Sequence, residues 1–408
     1  MATLAIRGGA PVRTDAFPTW PVWGDEEIQN LTKVIKSGAW GSLKGTVTAE
    51  FESKFAQYQH AKHGICVNSG TTALKLALTA AGIDCGDFVL VPAYTFIASA
   101  TSIIEAGAVP VFVDIDPDTF NMDFDHAESL INDRIRGIMP VHFGGRPADI
   151  DRLKELLQKH DLIVIEDAAQ AWGAEWRGDR VGALGAAGCF SFQSSKNINA
   201  GEGGIITTND DLVAKMARSH ANCGRSEDGL WYEHFYFGGN SRMTELQSAV
   251  LLAQLDRYDE LKTIRQENLK YLNEQLADIE GISILTDDER ISSHACHLFI
   301  FRYHQTFFQN ISKPDFIEAL RKEGIPASPG YSIPLYKQPV FENKAFGPRG
   351  KTIDLPISYH DAECPETEKA CYDEAVWLTQ NVLLGTQEDM DDIVSAIVKI
   401  KENAQEMV

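Results

Sequence analysis

Three short segments carry residue types and spacings that could do chemistry. They are Asn68-Ser69-Gly70-Thr71-Thr72, Asp167-Ala168-Ala169-Gln170 and Ser191-Phe192-Gln193-Ser194-Ser195-Lys196. A helix start that carries hydroxyl groups can hold an anion, because its N–H groups and its dipole both favour negative charge. A carboxylate can keep a bound ring nitrogen protonated, and a lysine amine can form a Schiff base with an aldehyde.

Each segment also has an ordinary structural explanation when it is taken alone. Ser69 could simply cap a helix, Asp167 could be a turn residue, and Lys196 could be a solvated surface lysine. The first segment is not a P-loop, because no Gly-Lys-Ser or Gly-Lys-Thr follows it at the required spacing. What favours a shared site is the ordered set of three segments, each at the same kind of place in the predicted fold.

That place is the end of a predicted strand. Apolar runs predict strands at 64–68, 88–92, 110–114, 137–142, 162–167, 188–193 and 204–208. Helical spacing predicts helices at 26–37, 71–81, 96–106, 124–131 and 150–157. This alternation predicts an α/β fold with a mostly parallel sheet that is covered on both faces. Ligands bind at the carboxyl ends of such strands, where the three segments lie.

The second half of the chain has a different pattern. Residues 243–279 have helical spacing over one long stretch, of a kind that often links two domains. After it the sequence predicts a strand at 298–303, a helix at 314–323 and two final helices near Glu366 and Gln387. We therefore predict a large cofactor-binding domain over residues 1–250 and a small α+β domain over residues 251–408.

Composition disfavours several classes of protein. A formal net charge of −21 argues against a nucleic-acid partner, which would need clustered Lys and Arg. No run of 18 apolar residues occurs and the N-terminus lacks a signal-peptide pattern, so we predict no membrane span and a cytoplasmic location. The 7 cysteines form no Cys-x-x-Cys pair, and we predict neither a disulfide framework nor a metal site.

The block FSFQSSKNINAGEGG, from Phe190 to Gly204, is the most specific motif of the chain. Together with the segment PAYTF that ends at Phe96, and with Asp167, it resembles the DegT/DnrJ/EryC1/StrS aminotransferases, which make amino sugars and aminocyclitols. The resemblance runs from about Trp20 to the final helix. It implies a fold-type I transferase that depends on pyridoxal 5′-phosphate (PLP), with a mostly parallel central sheet and a smaller α+β C-terminal domain.

The resemblance also implies roles for single residues around the PLP ring. Lys196 matches the catalytic lysine that carries the cofactor as a Schiff base. Asp167 matches the aspartate on the pyridine nitrogen, and Gln170 matches a residue beside the 3-hydroxyl group. Phe96 matches the aromatic residue that stacks on the ring.

Further matches concern the cofactor phosphate. Thr71, Thr72 and Ser191 match phosphate ligands. Asn240 matches an asparagine that reaches the phosphate of the neighbouring subunit. This last match implies a homodimer with shared active sites.

Two residues are candidates for contact with the substrates. Arg242 could bind the carboxylate of the amino donor through two hydrogen bonds, although a salt bridge at a dimer interface fits equally well. Tyr331 lies in a loop, GYSIPLY, that could close over the substrate, and simple packing is the alternative.

The reaction that the resemblance implies moves an amino group from glutamine or glutamate to a cyclic ketone, either a keto-cyclitol or a keto-sugar. Segments 8–14, 17–21, 364–365 and 376–378 are similar to two subgroups, the glutamine:scyllo-inosose aminotransferases and the 3-amino-5-hydroxybenzoate synthases. One alternative is a PLP-dependent sugar dehydratase, but in such relatives a histidine replaces the lysine. The other alternative is a regulatory relative without turnover, which need not keep Lys196 and Asp167.

Overall fold

The computed structural model describes residues 3–226 and 228–408, and Met1, Ala2 and Glu227 lie outside the description. The described strands are β1 His63–Val67, β2 Phe88–Pro92, β3 Val109–Val113, β4 Ile135–Ile138, β5 Ile163–Asp167, β6 Glu175–Trp176, β7 Asp179–Arg180, β8 Ala187–Ser191, β9 Gly204–Thr208, β10 Ile282–Ile284, β11 Ile291–Ser293, β12 Leu298–Tyr303 and β13 Ala375–Thr379. The described α-helices are α1 Asp25–Ser37, α2 Val47–Tyr58, α3 Gly70–Ala80, α4 Ile97–Glu105, α5 Phe124–Ser129, α6 Ile150–Lys159, α7 Asp211–Ala221, α8 Glu245–Asp256, α9 Tyr258–Leu276, α10 Lys313–Lys322, α11 Pro339–Glu342, α12 Pro365–Lys369 and α13 Gln387–Glu402. None of these helices is long and apolar enough to span a membrane.

Seven of the described strands form the central sheet, in the order β1-β9-β8-β5-β4-β2-β3. Strand β2 pairs in parallel with β3 and β4, and the pairs β4–β5 and β5–β8 are also parallel. Strand β9 runs the other way, because it pairs antiparallel with both β1 and β8. The predicted mostly parallel α/β sheet is confirmed, and the carboxyl ends of β1, β5 and β8 lie at one edge of it.

Strand β2 shows why the sheet is covered on both faces. Its residues are apolar throughout and all are buried. Val89 and Val91 belong to the apolar core beside α3 and α7, whereas Phe88 and Leu90 belong to the core beside α5 and α6. Because alternate residues of a strand point to opposite faces, a continuous apolar run is the pattern of a strand that is buried on both sides.

The second half differs from the sequence prediction in three places. The long helix expected over residues 243–279 is wrong: α8 and α9 meet at Arg257, where neither glycine nor proline marks the break. The strand expected at 298–303 is β12, but it has two antiparallel neighbours, β10 and β13, that the pattern did not indicate. The helix expected near Glu366 is only the 5 residues of α12, followed by a π turn that leads into β13.

The two halves of the chain contribute to each other's apolar cores. The core of the small sheet, with α9, α10 and α13, includes Leu4 from the N-terminal segment. The core beside α3 and α7 includes Leu335, Tyr336 and Phe341 from the second half. The predicted division of the domains at residue 250 falls within α8, and it stays a prediction.

Candidate active site

Lys196 lies in a turn that is held from three directions. Within the turn, the Lys196 N–H donates to the Gln193 carbonyl at 2.9 Å. From the N-terminal segment, the Trp20 indole N–H donates to the Ser194 carbonyl at 3.1 Å. From the second half, two backbone carbonyls just before β12 accept hydrogen bonds from the Asn197 amide. The backbone that carries the Lys196 amine is therefore fixed by parts of the chain that are far apart in sequence.

The Lys196 amine and the Asp167 carboxylate influence each other's charge. Burial lowers the pKa of Lys196 to about 8, and the negative charge of Asp167 opposes this change. Burial raises the pKa of Asp167, while hydrogen bonds from Ser99 and from the Ala169 N–H, and the charge of Lys196, act in the other direction. A much larger fraction of this amine is neutral near pH 8 than for an ordinary lysine, as a nucleophile and proton carrier requires.

Asp167 ends β5, and each of its carboxylate oxygens has a fixed donor. The Ser99 hydroxyl donates to Oδ2 at 2.7 Å, and the Ala169 N–H donates to Oδ1 at 3.1 Å. The Ser99 side chain comes from the first turn of α4. Sequence reasoning missed Ser99, because a serine within a helix of small residues gives no sign of a carboxylate 68 positions away.

Behind Asp167, a buried histidine and a buried glutamate support the same strand. His142 Nε2 lies 3.1 Å from Glu166 Oε2, and His142 Nδ1 accepts a hydrogen bond from the Ala148 N–H at 3.0 Å. Burial alone would raise the pKa of Glu166, but the hydrogen bond from His142 and two backbone N–H groups bring this pKa below its ordinary value. His142 therefore has a structural role beside the site.

The start of α3 is both a capped helix end and a possible anion site. Ser69 is the N-cap of α3, and its hydroxyl accepts a hydrogen bond from the Thr72 N–H at 3.1 Å. The Thr72 hydroxyl lies 2.9 Å from the Ser69 hydroxyl. The N–H groups of Gly70 and Thr71 have no acceptor within the helix, so the first turn can still bind an anion.

Ser191, at the end of β8, lies directly against this helix start. A Cβ atom on Gly70 would lie 2.7 Å from the Ser191 Cβ atom and 3.1 Å from the Ser191 Oγ atom. Glycine at position 70 is therefore what allows the strand end and the helix to approach. The structure thus brings Ser191 to the start of the helix that carries Thr71 and Thr72, and the binding of a phosphate by these three residues stays a prediction.

Gln170 and Tyr331 meet next to Asp167. Gln170 Oε1 accepts a hydrogen bond from the Gly144 N–H at 2.8 Å. Burial and the charge of Asp167 raise the pKa of Tyr331, and a hydrogen bond from the Gln170 side chain opposes this. The Tyr331 ring also packs against Trp377, with ring centroids 4.8 Å apart. Tyr331 thus reaches the site from the second half of the chain, and it is packed there as well.

Phe96 and Asn240 are exposed, in contrast to the other candidate residues. Phe96 follows β2 as the N-cap of α4, and its side chain is 56% exposed. A ring in this position has a face available for stacking on a planar ligand. Asn240 forms an isolated β-bridge with Asn222 and is exposed to solvent.

Arg242 lies next to the strand that leads to the phosphate-binding candidates, because it forms an isolated β-bridge with Val67. The Asn68 N–H donates to the carbonyl of Ser241, the preceding residue, at 2.9 Å. The Arg242 guanidinium donates to Asn222 Oδ1 at 2.8 Å, and it forms no salt bridge within the described part of the chain. The structure therefore does not join Arg242 to Lys196 and Asp167 of the same chain.

The sequence profile of the DegT/DnrJ/EryC1/StrS aminotransferase family matches residues 21–398. The chain belongs to this family. A protein provisionally assigned as an L-glutamine:3-amino-2,3-dideoxy-scyllo-inosose aminotransferase, from Streptoalloteichus tenebrarius, is 36% identical over 415 aligned positions that cover 98% of each protein. GDP-perosamine synthase from Caulobacter vibrioides is 37% identical and covers 88% of this chain and 92% of its own length. The crystal structure of 3-amino-5-hydroxybenzoic acid synthase has a TM-score of 0.86 at 32% identity, covering 95% of this chain and 99% of that one.

These similarities confirm the predicted family, the predicted fold class and the prediction that the chain is an aminotransferase. The roles of the individual residues of this DegT/DnrJ/EryC1/StrS aminotransferase stay predictions. The geometry places Lys196, Asp167, Gln170 and Tyr331 in one neighbourhood, and it leaves Asn240 on the surface.

Proposed function

We propose that this aminotransferase uses PLP to move the amino group of glutamine or glutamate to a cyclic ketone, either a keto-cyclitol or a keto-sugar, in aminocyclitol or amino-sugar biosynthesis. The observation that carries the proposal is a half-buried lysine, Lys196, with a pKa lowered to about 8, near a carboxylate, Asp167, that two hydrogen bonds fix. The relatives are named for a scyllo-inosose, an aminohydroxybenzoic acid and a GDP-sugar, and these names support a cyclic acceptor.

The start of α3 fits the phosphate group of PLP. The N–H groups of Gly70 and Thr71, with the hydroxyl groups of Thr72 and Ser191, would hold the phosphate. A dianion is favoured at this position because the helix dipole presents partial positive charge there. The close approach of Gly70 to Ser191 brings donors from a helix and from a strand to the same place.

The residues beyond the helix start fit the pyridine ring. The Asp167 carboxylate would hold the protonated ring nitrogen, and the Gln170 amide would contact the 3-hydroxyl oxygen. Phe96 would cover one face of the ring, and the Lys196 amine would hold the aldehyde carbon. These residues offer donors for the phosphate, a carboxylate for the protonated nitrogen and an apolar face for the ring.

PLP, when it is bound, supplies an electron sink for the carbon that exchanges its amino group. The Lys196 amine would hold the cofactor between reaction cycles and would be released when the amino donor takes its place. The freed Lys196 amine would act as the base that takes a proton from the donor carbon, and in the second half-reaction it would act as the acid that gives a proton to the former ketone carbon of the acceptor. A keto acid leaves after the first half-reaction, and the amino product leaves after the second.

The proposal includes a homodimer with shared sites. A surface segment contains six large apolar residues with exposed side chains: Leu230, Trp231, Tyr232, Phe235, Tyr236 and Phe237. A contiguous exposed apolar patch is typical of a protein contact surface. Asn240 follows this segment and is exposed, so a partner subunit bound there could receive it at its own phosphate. Two-fold symmetry would then give two equivalent sites.

The test of the function follows nitrogen from donor to acceptor. The purified protein, loaded with PLP, is given glutamine labelled with 15N at its α-amino group and a panel of keto-cyclitols and nucleotide keto-sugars. We expect one acceptor class to yield a product that contains 15N. A parallel series with labelled glutamate compares the two donors.

Two results would contradict the proposal. A product that has lost a hydroxyl group and contains no 15N would indicate a dehydratase. No turnover of any acceptor, together with no binding of PLP, would indicate a relative without this chemistry. The Lys196→Ala variant is the matched control and should give no labelled product.

A further inference from the structure

The Asp167 carboxylate is reached by a chain of two hydroxyl groups from α4 and the residues before it. Thr95 Oγ1 lies 3.0 Å from Ser99 Oγ, and Ser99 Oγ lies 2.7 Å from Asp167 Oδ2. All three side chains are buried. A hydroxyl has one hydrogen to donate, and Ser99 uses it on the ionised carboxylate, so the hydrogen between Thr95 and Ser99 comes from Thr95. The chain thus runs in one direction, from Thr95 through Ser99 to Asp167.

Two donors from different parts of the fold fix the plane of this carboxylate. Ser99, on α4, binds Oδ2, and the Ala169 N–H, in the turn after β5, binds Oδ1. Each carboxylate oxygen can accept two hydrogen bonds, so one acceptor position on each oxygen remains. Because both oxygens are held, the carboxylate cannot rotate freely, and its remaining acceptor positions keep their direction.

We propose that Ser99 is a positioning residue that aims the Asp167 carboxylate at the ring nitrogen of the cofactor, with Thr95 as the donor behind it. The inference rests on the proposed function, because it concerns the proposed cofactor. The N-cap of the same helix is Phe96, the proposed stacking residue. One helix turn would therefore set both the face of the ring and the position of its nitrogen.

The surroundings of Asp167 explain why its carboxylate needs the hydrogen bond from Ser99. Lys196 and His142 favour the ionised form of the carboxylate, and burial disfavours it. Cys189 and Tyr331 are further titratable groups that face the carboxylate. The Lys196 amine becomes part of a covalent link when the cofactor is held, so its support for the carboxylate charge changes during the reaction. The hydrogen bond from Ser99 does not depend on that link. Within a chain of hydroxyl groups that ends on a charge, each hydrogen bond polarises and strengthens the next one.

The test compares the binding of two probes to the wild-type protein and to Ser99→Ala. Pyridoxamine 5′-phosphate has the ring nitrogen and forms no covalent link with Lys196, and its 1-deaza analogue has carbon in place of that nitrogen. We expect Ser99→Ala to weaken binding of pyridoxamine 5′-phosphate about tenfold, as for a lost hydrogen bond to a charged group. Binding of the deaza analogue should change by less than about twofold, because it makes no bond to Asp167.

A double-mutant cycle adds a second criterion. In an Asp167→Asn background, the further change Ser99→Ala should alter the affinity for pyridoxamine 5′-phosphate by less than about twofold. Ser102→Ala is the matched control. Ser102 is fully buried on the same helix, but its hydroxyl donates to the Ser99 carbonyl at 3.0 Å and not to Asp167. This control should bind both probes like the wild type.

Several outcomes would overturn the inference. If Ser99→Ala weakens both probes equally, or weakens them as much in the Asp167→Asn background, Ser99 only packs the helix. If Ser99→Ala binds pyridoxamine 5′-phosphate as tightly as the wild type does, Ser99 likewise does not position Asp167. If the wild-type protein binds neither probe, the proposed cofactor itself is wrong, and that result is distinct.

A second variant decides the question if Ser99→Ala does not fold. Thr95→Val keeps the shape of the side chain and removes the donor behind Ser99. We expect it to weaken pyridoxamine 5′-phosphate by about two- to threefold, because the chain loses its polarising donor. The deaza analogue should bind unchanged. Equal affinity of Thr95→Val and the wild type for pyridoxamine 5′-phosphate would contradict the proposed chain.

Discussion

Gly70 and Ser191 approach so closely that a Cβ atom on Gly70 would lie 2.7 Å from the Ser191 Cβ atom. Gly70→Ala must therefore push the start of α3 away from the end of β8. We expect overpacking to cost about 1–3 kcal/mol of stability and binding of pyridoxamine 5′-phosphate to weaken by more than about tenfold, because phosphate donors lose their alignment. Thermal unfolding and a binding titration measure the two effects.

Gly41→Ala is the matched control for that change. A Cβ atom on Gly41 meets no described atom within 4 Å. Its stability and its affinity for pyridoxamine 5′-phosphate should stay at the wild-type level. If Gly70→Ala and Gly41→Ala behave alike, the helix start and Ser191 do not form a phosphate site.

Much of the site could be predicted because it lies at strand ends that the sequence marks strongly. The apolar runs of β1, β5 and β8 each stop at a polar motif, and parallel strands place such stops at one edge of the sheet. The reversed direction of β9 could not be predicted, since side chains alternate in the same way in both directions. The break at Arg257 between α8 and α9 could not be predicted either. No local residue type marks the end of α8 there, and the helix ends because of tertiary packing.

The contacts that no pattern marks are those between distant segments. Ser99 forms a hydrogen bond with Asp167, and Trp20 forms one with the turn of Lys196. Both contacts arise because elements that are far apart in the sequence pack together. Periodicity identifies the face of a helix that is buried, but it does not say which side chain that face meets. The sequence predicted that Tyr331 lies in a loop that could close over the substrate. It did not predict that the Tyr331 side chain contacts Gln170, which only the fold shows.

The lowered pKa of Lys196 predicts how loading with PLP depends on pH. The neutral amine is the nucleophile, and with a pKa of about 8 roughly one tenth of it is neutral at pH 7 and nine tenths at pH 9. We expect the rate of cofactor uptake by the apoprotein to rise about tenfold over this range and then level off. Stopped-flow absorbance measures the rate, and borohydride treatment followed by mass spectrometry should place the label on Lys196.

A different dependence of the uptake rate on pH would contradict this prediction. An ordinary lysine, with its pKa near 10.5, would show a rate that keeps rising well above pH 9. Such a rise would mean that burial does not prepare the amine in the apoprotein. A borohydride label on any lysine other than Lys196 would overturn the assignment itself.

Asp167→Asn should lower the rate of transamination by several orders of magnitude. The amide has no negative charge, so it cannot keep a bound ring nitrogen protonated, and the cofactor becomes a weaker electron sink. The fold should survive, because the amide oxygen can still accept the Ala169 N–H, and the amide NH2 can donate to the Ser99 hydroxyl after that hydroxyl rotates. Single-turnover measurements with glutamine test the rate, and circular dichroism tests the fold.

Asp161→Asn is the control for the charge change. Asp161 is exposed and lies just before the opposite end of β5. The substitution alters the net charge equally and should leave the rate unchanged. Near-normal activity of Asp167→Asn would make Asp167 a turn residue, which is the alternative that the sequence left open.

The last prediction is that two inactive variants restore activity when they share a dimer. Asn240→Asp would place a carboxylate against the cofactor phosphate and repel it, and Lys196→Ala removes the amine. If Asn240 reaches the partner's site, a mixed dimer has one site with both defects and one intact site. Coexpression with two different tags isolates such dimers, and we expect about half of the wild-type activity.

Mixed dimers of Lys196→Ala and Asp167→Asn are the control. Both residues belong to one chain's site, so no site is intact and no activity should return. If mixed dimers of Lys196→Ala and Asn240→Asp form but stay inactive, each site uses its own Asn240 and the shared-site proposal is wrong.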